Sequence, residues 1–134
     1  MKKVKAIIER GRDGEYSAFL DCDTLEYGVN GQGSTVEEVK KDLQGVYDAM
    51  RELYAAEGRT FTEVEWTYSF DYVSLLQYYA QFFTLVGLSR LTGINKCQLS
   101  HYINGTSRPG RSTVEKIRAG LSRLADDIEA MKIA

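Results

Sequence analysis

The chain has 134 residues, 43% hydrophobic content, one proline and a formal net charge of −2. That size suits one ordinary domain or two small ones, and the composition argues for a folded chain throughout, with no disordered tail. No apolar run approaches the roughly 20 residues of a membrane-spanning helix, so neither a membrane span nor a membrane partner is expected.

Met1–Arg10 has basic residues but no apolar stretch adequate for a signal peptide. Lys3–Glu9, with the β-branched Val4, Ile7 and Ile8, predicts a first strand. Gly11-Arg12-Asp13-Gly14 predicts a turn, and Glu15–Leu20 the second strand of a hairpin. A short third strand is expected near Tyr27–Asn30. Ser34 with Glu37 has capping-box spacing, so a helix should start there and end at Gly58. Its apolar stripe is Val36, Val39, Leu43, Val46, Tyr47, Met50 and Leu53. Val64, Trp66, Tyr68 and Phe70 then alternate with Glu63, Glu65, Thr67 and Ser69, the pattern of a strand with one buried face. The expected order to this point is βββαβ.

From about Ser74, which is placed to cap a helix over Ser74–Phe83, the chain reads as helical. Leu75, Leu76, Tyr78, Tyr79, Phe82 and Phe83 would supply a core or a dimer contact. A short helix should end at Gly93, with Ile94 plugging the turn and Asn95 capping the next helix. That helix would bury Leu99, Tyr102 and Ile103 and display Lys96, Gln98, Ser100 and His101 before stopping at Asn104-Gly105. A loop over Thr106–Arg111 leads to a last helix capped by Ser112 or Thr113. Its expected stripe is Val114, Ile117, Leu121, Leu124 and Ile128.

Charge divides with these elements. Residues 1–72 carry 9 Lys and Arg against 15 Asp and Glu, a net of −6, whereas residues 73–134 carry 8 against 4, a net of +4. Residues 86–125 hold seven basic side chains and one acid, Glu115. The pattern suits a basic partner for the first half and a phosphate backbone for the second, and equally two solvated surfaces. Cys22 and Cys97 lie far apart and outside any CxxC pattern, which implies free thiols in a reducing cytoplasm.

The segment Leu88-Ser89-Arg90-Leu91-Thr92-Gly93-Ile94-Asn95-Lys96-Cys97-Gln98-Leu99-Ser100-His101-Tyr102-Ile103-Asn104-Gly105 resembles the Cro/repressor-type (XRE-like) helix-turn-helix. The similarity covers about Val86–Leu124. It implies that Asn95–Asn104 enters the major groove, with Lys96, Cys97, Gln98 and His101 facing bases. It also implies that Asn95, Ser107, Arg108 and Arg111 hold phosphates, which fix register without reading sequence. The alternative is an ordinary helical bundle with a glycine turn.

In the first half, Glu15-Tyr16-Ser17-Ala18-Phe19-Leu20-Asp21-Cys22-Asp23 and Gly31-Gln32-Gly33-Ser34-Thr35-Val36-Glu37-Glu38-Val39 are similar to the HicB antitoxin family. This resemblance implies an α+β fold: a truncated RNase H-like βββαβ domain over residues 1–72, followed by the all-α helix-turn-helix domain over residues 73–134. The family's Pro-Asp-x-x-Gly-Cys stretch is absent; the chain reads Leu20-Asp21-Cys22-Asp23-Thr24-Leu25 here. The implied function is that of a non-enzymatic antitoxin. It would mask a small basic HicA-like RNA-cleaving toxin and, as a homodimer or higher oligomer, repress its own operon by binding operator DNA. A stand-alone prophage or metabolic repressor with a ligand-sensing first domain is the alternative.

Two other motifs carry a functional alternative. Asp21, Asp23 and Glu26 could hold divalent ions in nuclease chemistry, but such acids normally converge from separate elements rather than one loop. Gly31-Gln32-Gly33-Ser34 precedes a helix but lacks GxxxxGK[ST] and GxGxxG, so an ordinary turn explains it. No catalytic residue, metal or cofactor is expected, the sole histidine having no cysteine at ligand spacing.

Overall fold

Four strands form one sheet in the order β3-β2-β1-β4: β1 (Lys2–Arg10), β2 (Tyr16–Asp21), β3 (Asn30–Gly33) and β4 (Val64–Phe70). The computed structural model describes residues 1–133, the side chain of Tyr72 excepted, and divides into two units, Met1–Asp71 and Tyr72–Ala134. The whole is a mixed α+β chain with five helices among the described residues.

In the first unit β1–β2 and β2–β3 pair antiparallel, while β1–β4 pair parallel. The helix α1 (Val36–Ala56) carries the chain from one sheet edge to the other. One cross-strand row explains how it seats. Gly31, Ala18, Ile8 and Phe70 lie in register, so their side chains share a face and grow from β3 to β4. A Cβ on Gly31 would stand 2.7 Å from the Leu43 amide nitrogen and 2.9 Å from the Val39 carbonyl oxygen. The helix backbone therefore rests directly on β3, and the larger side chains fill the rest of the layer.

Three expectations shift here. The third strand is Asn30–Gly33, not Tyr27–Asn30: Tyr27 and Val29 are buried ahead of it, and β2 supplies the partner that Gly31 and Gly33 need. The α1 cap is Thr35 rather than Ser34; its hydroxyl accepts from the Glu38 amide, and Glu38 Oε2 accepts from the Ser34 amide at 2.7 Å. Leu53, placed in the stripe, is 50% exposed, and Tyr54 is buried instead. Tyr54 belongs to an aromatic cluster with Tyr27, Tyr47 and Phe61, to which Trp66 adds an edge contact.

The second unit contains α2 (Tyr72–Ala80), α3 (Leu85–Thr92), α4 (Lys96–Asn104) and α5 (Arg111–Ala130). Its core is Leu76, Leu88, Ile94, Leu99, Tyr102 and Ile117. Ser74 lies inside α2 and is buried, so it does not cap that helix, and Phe82 beyond the helix end is 60% exposed. The N-cap of α5 is Gly110, with no side-chain cap bond, instead of Ser112 or Thr113. A Cβ on Gly120 would run into the Leu91 carbonyl oxygen, so α5 crosses the end of α3 in close contact.

Candidate nucleic-acid interface

The joint between α3 and α4 is fixed by its own side chains. Thr84 caps α3 by accepting from the Gly87 amide. Gly93 ends the helix in the left-handed region, φ 74°, where a Cβ is costly. The Thr92 hydroxyl donates to the Leu88 carbonyl at 2.7 Å and accepts from the Ile94 amide at 3.2 Å. Ile94 is thereby held in the core, and Asn95 Oδ1 accepts from the Cys97 amide at 2.7 Å to start α4.

Leu99 and Tyr102 anchor α4 inward, and Ile103 is half-buried with its carbonyl accepting from Gln77 Nε2 at 2.9 Å. The helical period puts Cys97, His101 and Asn104 opposite that anchor, with Lys96 and Gln98 on the flanks. Lys96, Cys97, Gln98 and His101 are all exposed, as are Asn95, Ser107, Arg108 and Arg111. Asn95 through His101 thus share α4 and its cap; Ser107 and Arg108 occupy the following loop, and Arg111 opens α5.

His101 is oriented from behind. Its Nδ1 lies 2.9 Å from Thr106 Oγ1, and that hydroxyl donates to the His101 carbonyl at 3.2 Å. The contact holds the exposed ring through Nδ1, and which of the two atoms donates depends on the ring tautomer. Thr106 was not singled out from sequence; its position just after the helix-ending Gly105 was the available signal. Asn104, likewise missed, donates to Ser100 Oγ at 3.4 Å.

The electrostatics favour anions. Arg118 pairs with Glu115 at 2.9 Å, which holds the Glu115 carboxyl below its ordinary pKa and raises that of Arg118. The Arg123 guanidinium donates to the Leu91 carbonyl at 2.9 Å. Among the described residues, Lys96, Arg108, Arg111 and Lys116 make no ion pair. α5 has no acid in its first turn and opens on Arg111, although a helix N-terminus prefers negative charge. Positive side chains and uncapped amides therefore accumulate together where a phosphate could compensate both.

Asp21, Asp23 and Glu26 are exposed, and no group of three or more His, Cys, Asp or Glu converges on a metal position among the described residues. The Cys22 thiol is pulled below its ordinary pKa, mainly by hydrogen bonds from Thr24. At the glycine turn, the Gln32 amide donates to Asp42 Oδ2 at 2.8 Å and the Ser34 amide to Glu38 Oε2. Carboxylates hold those amides, so the turn is not a phosphate cradle.

Compared with protein-family models, curated proteins and solved structures, the chain matches none of them. Among the described residues, no helix is long and apolar enough to cross a membrane.

Proposed function

We propose that Tyr72–Ala134 is a helix-turn-helix DNA-binding domain of the Cro/repressor type, with α4 as its recognition helix. The observation that carries this reading is the α3–α4 joint, fixed at Thr92, Gly93, Ile94 and Asn95, which presents an exposed polar helix beside unpaired Arg108 and Arg111. Lys96, Gln98 and the exposed imidazole of His101 offer base-edge chemistry, and Cys97 offers contact to a thymine methyl. Asn95, Ser107, Arg108 and Arg111 would position the helix on phosphates.

The first unit is the partner-binding half: an acidic, truncated RNase H-like βββαβ domain that masks a small basic HicA-like toxin. The whole is then a cytoplasmic antitoxin of HicB type that represses its own operon, without enzymatic activity of its own. Gel shift against the upstream duplex and a scrambled duplex tests the DNA half, and growth rescue of cells expressing the neighbouring toxin gene tests the other. Equal affinity for both duplexes would remove the first; failure of rescue would remove the second.

One observation favours a second reading, a repressor whose first unit senses a small ligand. A groove of about 390 Å³ lined by Tyr47, Arg51, Trp66 and Tyr68, among others, lies between α1 and β4. Its volume falls in the usual range for ligand sites. A toxin-like reading frame beside the gene separates the two readings.

A further inference from the structure

The sheet of the first unit has two edges, and they are finished differently. At β3 the strand is four residues long, and the Gln32 amide is held by the Asp42 carboxylate. At β4 the strand runs for seven residues in unbroken register with β1, and it contains no proline, lysine or bulge. Those are the devices that normally keep an edge from pairing.

Hydrogen bonds at both ends of β4 fix which residues face outward. The Asp71 amide donates to the Ile8 carbonyl, so the odd-numbered residues bond to β1. The Val64 amide instead donates to the Tyr47 hydroxyl at 3.0 Å, and that hydroxyl donates to the Val64 carbonyl at 3.3 Å. By the two-residue period, the amides and carbonyls of Trp66 and Tyr68 also point away from β1. No hydrogen bond from outside the ladder reaches these groups among the described residues. The side chains of the same two residues line the groove between α1 and β4, together with Gln44 and Tyr47. Lys40 stands beside it, its ammonium 4.8 Å from the Tyr68 ring centre, exposed and without an acidic partner among the described residues. Glu65, the one carboxylate of the strand, pairs with Lys3 at 3.9 Å on the opposite face.

We infer that the outer edge of β4 is a docking site for an extended segment of a partner protein, added to the sheet as a further strand, whose groove-side face carries an apolar side chain and, two residues away, a carboxylate. Main-chain bonds to Trp66 and Tyr68 hold the segment, as in other strand additions. The apolar side chain enters the groove against Tyr47 and Trp66, and the carboxylate meets Lys40. The unit as a whole is acidic, but its more distant charges are screened beyond about 8 Å at physiological salt. The site goes beyond the masking of a basic toxin, and its test needs neither toxin nor DNA, so it can fail while both halves of the proposed function stand.

Trp66 is the sole tryptophan and lines the site, so its emission reports binding in the full chain. The probe is the capped peptide Thr-Glu-Thr-Phe-Thr-Glu-Thr, which offers the same pattern in either strand direction, and it should shift that emission saturably. Two N-methylated forms then test main-chain pairing. One is methylated at the Phe and Glu amides, which face β4 in an antiparallel addition. The other is methylated at the Thr amides, which face it in a parallel one. One form should lose roughly tenfold or more in affinity, and the other should bind like the parent. Replacing both Glu residues of the peptide by Lys should weaken binding about two- to fivefold, and Lys40→Ala should remove that difference. No binding by the parent peptide, equal affinity for the two methylated forms, or a preference for Glu that survives Lys40→Ala would each overturn the proposal.

Discussion

The two units handle charge differently. In the first, Arg51 and Arg59 are engaged within the unit. Arg51 pairs with Glu63 at 2.8 Å and Asp48 at 3.2 Å, and lies over the Tyr47 and Phe61 rings. Arg59 pairs with Glu57 at 3.0 Å and lies 4.1 Å from the Tyr54 ring centre. In the second, helix starts and turns are held by the neutral Thr84, Thr92 and Asn95, and several cations are left without an acidic partner. Exposed ion pairs add little stability, so the contrast concerns availability more than folding. A cation already engaged inside its unit is a poor ligand for phosphate; an unengaged one is ready.

The strongest way to break the comparison uses a close backbone approach in each unit. Gly31→Val should destabilise the first unit by at least about 3 kcal/mol, because both atoms in the way are helix backbone and cannot move aside. Urea unfolding read at Trp66, the sole tryptophan, reports that loss. Gly120→Val should strike the second unit in the same way, at Leu91, and abolish operator binding. If Gly31→Val abolished operator binding to the same degree, the division of labour would not hold.

Those two glycines also mark where sequence was and was not legible. Gly93 and Gly105 could be read because each follows an apolar helical stripe and solves a local problem, the left-handed helix end. Asn95 could be read for the same reason. Gly31 and Gly33 could not, since Asn30-Gly31-Gln32-Gly33 has little strand preference. That strand exists because β2 pairs with it and α1 requires bare backbone beneath it, both non-local facts. The cap of α1 moved from Ser34 to its neighbour Thr35, within the ambiguity of adjacent hydroxyls. The face of α4 was readable from its period, whereas the Thr106 support for His101 depends on how the chain folds back after Gly105.

Next in size are the DNA contacts. Lys96→Ala and Gln98→Ala should each narrow the preference for operator over scrambled duplex by about 1–3 kcal/mol. Arg108→Ala should weaken binding to both duplexes alike and reduce the salt slope by about 1. Arg51→Ala, its counterpart in the first unit, should leave DNA binding unchanged. Titrations over a salt series distinguish these outcomes; an Arg51 effect equal to that of Arg108 would erase the contrast between engaged and available cations.

A smaller effect sharpens the account of the first unit. Tyr27 donates to the Thr62 carbonyl at 2.6 Å and stacks on Phe61. Burial, with Tyr47 nearby, pushes its pKa from 10.0 up to about 12. The folded state therefore holds the proton after the unfolded chain would release it. The stability from this group is complete below pH 10 and is lost as pH rises through about 12. Unfolding at Trp66 should show that alkaline loss, and Tyr27→Phe should flatten it while costing about 1 kcal/mol at neutral pH. An unchanged alkaline slope in Tyr27→Phe would assign the loss to another group.

The smallest expected effect is also the most discriminating, because two roles meet at Asn95. It caps α4 through Oδ1, and it stands where a phosphate would approach. Asn95→Ala removes both roles and should cost about 1 kcal/mol of stability, with weaker DNA binding. Asn95→Asp keeps an acceptor for the Cys97 amide and adds negative charge at a helix N-terminus, which favours it. Stability should hold or rise slightly. That same charge would face the phosphate backbone, so DNA affinity should fall for operator and scrambled duplex alike. Thermal melts and binding titrations on the two variants then move in opposite directions for Asn95→Asp and together for Asn95→Ala. If Asn95→Asp binds DNA as tightly as the wild type, Asn95 is a cap alone, and the groove-facing end of α4 must begin at Lys96.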